Sequence, residues 1–199
     1  MVAKAETLID NFNDNSIDTN KWSVFGGGSQ VAETNNELEI TTLTTVNFYG
    51  IESVNKFDLT SSYALVKLIT PGDTSILFHV TQLYIQLDTS NQLKWTIDST
   101  TIKAEKNVGG SNSQVGSSTT YDPAIHKWLR IRESGGTIYW DYSTDEITWT
   151  NFTSLANPFI ITSINLDISA GVYSPTSSGT TSKFDDFNIV YNSVSWFGM

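Results

Sequence analysis

The chain has 199 residues, no cysteine, four prolines and thirteen glycines, and it is 39% hydrophobic, 12% aromatic and 16% charged. That is enough apolar sequence for one folded core and too much for a disordered chain, and the missing cysteine excludes disulfides, thiolate nucleophiles, iron–sulfur clusters and thiolate-held zinc. Eleven Lys plus Arg against 21 Asp plus Glu give a net charge of −10, which repels phosphate backbones and anionic lipid, so nucleic acid is not an expected partner. The N-terminus has no apolar stretch of signal-peptide length, and no run approaches the length of a membrane span. The expectation is a chain without its own export signal and without membrane insertion.

In chain order, the apolar residues alternate with polar ones at period two and nowhere hold a helical period over a useful window. Weak strand signals lie near 7–12, 22–25 and 49–53. The clearest runs are 37–43, 63–69, 75–80, 83–87, 92–97, 101–106, 127–132, 137–142, 164–168 and 184–191, about thirteen strands in all. Turn formers punctuate them: Gly26 to Gly28, Asn35 and Asn36, Pro71 with Gly72, Ser90 and Asn91, Gly109 and Gly110, Gly135 and Gly136, and Asp145. No repeat of 20–50 residues is present, which argues against a propeller or solenoid. Residues 109–120 and 173–181 are the loosest stretches. Neither reads as a linker, so 1–191 is expected to be a single domain, an all-β, two-sheet antiparallel sandwich.

The segment 127–149 shows the local logic. Leu129 and Ile131 fall opposite Arg130 and Arg132, and after the Gly135-Gly136 turn Ile138, Trp140 and Tyr142 alternate with Tyr139 and Asp141. Asp145 is positioned to bind backbone amides of the next turn, and Trp149 returns to the apolar side.

Taken together, Ile9 to Asp14 (IDNFND) with Lys21-Trp22, then Glu37 to Ile40 (ELEI), Tyr121 to Asp141, Ser143 to Trp149 (STDEITW) and Phe184 to Asn188 (FDDFN) resemble the concanavalin A-like jelly rolls of the laminin-G-like type. Such domains occur in bacterial surface proteins and bacteriophage virions. The resemblance runs from about Thr7 to Tyr191 and rests on motifs that make hairpins and fill a core, so it speaks to architecture more than to activity. Glu146 departs from it, standing where such hairpins carry glycine. The resemblance implies that the two chain ends lie side by side, bringing Asp10 and Asp14 near Asp185 and Asp186, a set of oxygens suited to a structural calcium ion. The alternative is that these residues cap turns.

Glucanases that resemble this fold carry a Glu-x-Asp-x-x-Glu strand, and no such strand occurs here. Glu37 and Glu39 lack a third acid at the required spacing. His79 lies in an apolar run and His126 at a strand entry, so neither reads as a triad histidine. Gly26 to Gly28 precede β-type sequence and form no phosphate loop. Catalysis is therefore not expected. Carbohydrate binding needs aromatic and polar side chains together on a wet surface. If their strands share one sheet, Tyr84, Gln86, Lys94, Arg130, Arg132, Tyr139 and Asp141 form such a concave face. The alternative is that Arg130 and Arg132 pair with Asp141 to keep the hairpin soluble. Trp22, Trp95, Trp140 and Trp149 are assigned to packing. The tail 192–199 ends in Trp196, Phe197 and Met199, which would dock on its own sandwich or on a second subunit in a homo-oligomer.

The expectation is therefore a non-catalytic carbohydrate-binding or adhesion module of a phage virion, assembled in host cytoplasm, with a cell-surface glycan or another virion protein as partner. A module of a longer secreted, extracellular protein is the other location. The alternatives are a purely structural virion component, or a glycoside hydrolase.

Overall fold

A computed structural model describes residues 2–191. The tail 192–199 lies outside the described residues. The alternating segments form two seven-stranded sheets, with strands numbered here in chain order. The first sheet runs β1 (Trp22–Phe25), β4 (Asn47–Ser53), β13 (Asn165–Val172), β6 (His79–Asp88), β7 (Asn91–Asp98), β8 (Thr101–Val108) and β9 (Ser111–Thr120). The second runs β12 (Trp149–Ala156), β11 (Thr137–Ser143), β10 (Trp128–Ser134), β5 (Tyr63–Thr70), β14 (Thr181–Asp185), β3 (Glu37–Thr41) and β2 (Val31–Thr34). Neighbouring strands pair antiparallel, and the all-β jelly-roll expectation holds.

Period-two alternation sends one set of side chains from each sheet into a shared interior. Ile51, Leu83, Ile85, Leu93, Trp95, Leu166 and Ile168 come from the first sheet; Leu38, Ile40, Ala64, Val66, Ile131, Ile138 and Trp140 come from the second. Two buried indoles cross this interior reciprocally. Trp95 Nε1 of the first sheet donates to the Arg130 carbonyl at 3.0 Å, and Trp140 Nε1 of the second donates to the Lys94 carbonyl at 2.9 Å. Each thereby satisfies a polar atom that has no access to water.

Three local expectations are corrected. The strand expected at 75–80 begins only at His79, because Leu77 and Phe78 leave the sheet plane: both are exposed, and Phe78 has φ +67°. The stretch expected to be loose at 109–120 forms β9, whose backbone joins the β8 ladder although its Ser and Thr side chains stay in water. The strand expected at 184–191 stops at Asp185, since Asp186 and Asn188 adopt left-handed φ of 48° and 53° and break the ladder. Glu146 also sits at left-handed φ, 67°, where a glycine would carry no strain. The geometry is held because its N–H donates to Ser143 Oγ at 2.9 Å, while its carboxylate accepts the Tyr191 N–H.

The first turn of chain is tied to β2 through acids. The Asp14 N–H donates to Glu33 Oε1 at 3.0 Å, and Asp10 Oδ2 accepts from Trp22 Nε1 at 2.9 Å. Burial, then the hydrogen-bonded and charged neighbours Asp14 and Asp10, push the Glu33 carboxyl up to about 7 from 4.5. Between those two values the folded chain holds a proton that the unfolded chain has released, so stability falls as pH rises through that window. Glu33→Gln is expected to flatten this fall: its melting temperature should exceed that of the wild type above pH 7 and converge with it near pH 4. Parallel melting curves for the two proteins across that range would show the assignment to be wrong.

Candidate functional site

The outer face of the first sheet is built by the other half of the alternation. The register sets Glu52 of β4 opposite Asp167 of β13, Asp167 opposite Tyr84 of β6, Tyr84 opposite Lys94 of β7, and Lys94 opposite Glu105 of β8. These five side chains form one row across the sheet. Flanking it are the buried Gln82, Gln86, Thr96 and Ser169, an outer face that is polar yet shielded from water. Its cover is aromatic. A Cβ on Gly171 would lie 2.5 Å from the Phe48 ring, and one on Gly50 would lie 2.8 Å from the Phe25 ring tip. The two rings therefore rest on bare backbone, which only glycine permits. Phe48 and Tyr173 face each other at 5.5 Å between ring centroids.

Two adjoining hollows open on this face. One of about 240 Å³ is lined by Ser23, Phe25, Glu52, Tyr84, Gln86, Thr89 and Gln92. The other, about 290 Å³, is lined by Phe48, Gln82, Tyr84, Gln92, Lys94 and Tyr173. A larger hollow of about 420 Å³ lies between the loops at residues 73–78 and 175–178, but Asp73 is its one titratable side chain and no acid or base faces it across the gap. The chemistry resides on the sheet.

Gln86 Nε2 donates to Glu52 Oε2 at 2.5 Å and lies 3.4 Å from Asp167 Oδ1, and Gln92 Nε2 holds the Gln86 carbonyl oxygen at 3.0 Å. One amide thus spans both carboxyl groups. Asp167 has no exposed surface, and its Oδ2 has no hydrogen-bond partner. Burial, followed by the neighbouring Glu52 carboxylate, raises its pKa well above the usual carboxylate range, which favours the protonated form. A buried carboxyl of raised pKa is thus linked through one amide to a second carboxyl that opens into a hollow, a place where acid–base chemistry can be sought.

The seven residues expected to form one binding face are divided by the fold. Tyr84, Gln86 and Lys94 line the hollows of the first sheet, whereas Arg130, Arg132, Tyr139 and Asp141 lie on the outer face of the second, on the opposite side of the sandwich. There Asp141 Oδ2 accepts Arg130 Nη2 at 2.8 Å and Arg132 Nε at 2.7 Å, while its Oδ1 accepts Asn151 Nδ2 at 3.0 Å. Arg130 stacks 3.9 Å over Trp149, and Arg132 stacks 3.9 Å over Tyr139. Trp149 is thus a surface platform for a guanidinium and not a packing residue. These groups satisfy one another, as the hairpin-solubility reading has it.

The chain ends do meet, through a bridge between Asp10 and Phe187, but the four acids do not converge on one point. Asp10 serves Trp22 and Lys21, Asp14 Oδ1 accepts the Ser16 N–H, and Asp185 and Asp186 pair with Lys67 at 2.9 and 3.4 Å. Among the described residues no group of three or more His, Asp or Glu is placed to hold a metal ion. His79 is buried with its Nε2 unpartnered, and burial lowers its pKa to about 4. His126 Nδ1 accepts the Asp122 N–H at 2.9 Å inside its own turn.

No family model and no curated protein sequence matches the chain. Solved structures do share its fold. The Bacillus licheniformis β-glucanase superposes with a TM-score of 0.65 at 11% identity, covering 90% of this chain and 96% of that one. LamAcat from Zobellia galactanivorans gives 0.68 at 10% identity over 90% and 94%. The GH43 protein BlXynB from B. licheniformis gives 0.69 at 16% identity, with 94% of this chain covering 40% of that one. The architecture is thus that of the concanavalin A-like jelly rolls. The expectation of a non-catalytic virion adhesin is corrected by the glycan-cleaving enzymes among these structures, none of which points to a phage or a virion.

Proposed function

We propose that the protein is a glycoside hydrolase that binds a glycan across the outer face of the first sheet and cleaves it at Glu52. The observation that carries this reading is the Glu52–Asp167 pair, two carboxyl groups from neighbouring strands spanned by the single amide of Gln86. Glu52 lines the hollow and is the member placed to contact substrate. Asp167, with no exposed surface, is a positioning residue that holds the proton shared by the pair.

Hydrolysis breaks the bond between the anomeric carbon and the leaving oxygen. A bond forms in its place from the anomeric carbon to the oxygen of an incoming water: the pair gives a proton to the leaving oxygen through Glu52 and takes one back from that water, so no other reactant is consumed. The fold shared with a β-glucanase and with endo-acting O-glycanases of gut bacteria supports a glycan substrate.

The test is release of reducing ends from a panel of neutral and acidic polysaccharides. At least one is expected to be cleaved by the wild type and spared by Glu52→Gln. No release from any member, or equal release by both proteins, would remove the reading.

A further inference from the structure

The second hollow holds a cation, Lys94, whose ammonium has no direct hydrogen bond or ion pair among the described residues. Lys94 stands three strands from Glu52 in the cross-sheet row, roughly 14 Å away at the usual strand spacing, so a group held there belongs to a different sugar unit. Its cross-strand neighbour Glu105 is engaged through Oε1, at 3.5 Å from Lys103 Nζ and 3.3 Å from Asn112 Nδ2, while its buried Oε2 has no hydrogen-bond partner. Lys103 is likewise bound to Asp98 at 3.2 Å. Among the described residues, no ion pair or hydrogen bond holds Lys94 Nζ, although the chain carries almost twice as many acids as bases.

Burial lowers the pKa of this ammonium, with the charge of Glu105 opposing the shift, so the ammonium stands partly desolvated and held by no direct ion pair among the described residues. Around it are the amides of Gln82 and Gln92, the Tyr84 phenol and the rings of Phe48 and Tyr173. Amides read hydroxyls, rings stack on the apolar face of a pyranose, and a cation left open completes the set with a demand for negative charge. The net charge of −10 does not oppose this at close range, because charges beyond about 8 Å are screened at physiological ionic strength.

We infer that the Lys94 hollow is a subsite for an acidic sugar, its ammonium pairing with a uronate carboxylate or a sulfate ester on the glycan. This rests on the glycan-cleaving reading above and adds the substrate class. The experiment measures binding by titration calorimetry to the Glu52→Gln protein, which leaves the ligand intact. The probes are a tetrauronide, a sulfated galactan tetrasaccharide and a neutral glucan tetrasaccharide.

At least one anionic probe should bind about tenfold or more tightly than the neutral one, the worth of one charge-assisted hydrogen bond, and whichever does so identifies the anion. Adding Lys94→Gln should abolish that preference, and adding Lys94→Arg should restore it. Unchanged thermal melting of both variants certifies that they fold. Equal binding of neutral and anionic probes, a preference that survives Lys94→Gln, or no binding of any probe would overturn the inference. An acidic chain that binds through Lys94 but is not cleaved by the wild type would overturn the hydrolase reading and leave this one standing. Cleavage of neutral chains without such a preference would do the reverse.

Discussion

Replacing Glu52 by glutamine is expected to lower turnover of the cleaved glycan by about 10²–10⁴-fold, the usual contribution of a positioned acid–base group. The change removes one ionisable oxygen while keeping an acceptor for Gln86, so folding should be unaffected. Asp167→Asn makes the companion measurement, because Asp167 acts through Glu52. Wild-type activity should decline as pH rises through the elevated pKa of Asp167, since the pair then loses the proton it delivers. In Asp167→Asn that alkaline limb should move or vanish, a change that a merely structural residue would not produce.

Stability supplies an independent check. Burial keeps Asp167 protonated in the folded chain, while the unfolded chain releases that proton near the ordinary value of 3.8. The folded state is therefore penalised progressively as pH rises above it. Asp167→Asn should melt at or above the wild-type temperature at pH 8 while turning over more slowly. A variant that is both less stable at pH 8 and unaltered in its pH profile would return Asp167 to the status of a core residue.

Trp140→Ala is expected to cost about 3–5 kcal/mol, since it empties a fully buried indole site between the sheets. At roughly 2–4 °C per kcal/mol for a chain of this size, the melting temperature should drop by about 6–20 °C, read by differential scanning calorimetry. Part of that cost is polar. Trp140→Phe keeps much of the volume but leaves the Lys94 carbonyl without the indole donor, and Trp95→Phe does the same to the carbonyl of Arg130. Each should cost about 1–3 kcal/mol. A Trp140→Phe protein as stable as the wild type would show that these indole bonds contribute nothing beyond packing.

The strands themselves were legible because alternation is a local property. Leu83, Ile85 and Leu87 could be set against Tyr84 and Gln86 without knowing what lay beside them. Which strands become neighbours is not local. The sandwich sends the 127–142 hairpin and the 83–97 hairpin into different sheets, and this divided the expected binding face between two surfaces. The acid pair escaped notice for the same reason. Carboxylates were sought at fixed spacing along one strand, whereas Glu52 and Asp167 are joined only because β13 inserts between β4 and β6. The stretch at 109–120 misled through composition: its Ser and Thr look like loop, but an edge strand needs only backbone partners on one side and can leave its side chains wet.

The glycines beneath Phe25 and Phe48 act as a caliper. With Gly50 and Gly171 lacking any side chain, each ring drops to the lowest position the pleat allows, and the clearance above it is at its maximum. A single methyl group at Gly171 would jack the Phe48 ring upward into the channel. The depth of the hollows is thus set by two positions that line neither of them, and neither tolerates a side chain without a shift of backbone, since a Cβ on Gly50 would lie 2.2 Å from the Ile168 carbonyl oxygen and one on Gly171 2.7 Å from that of Asn47.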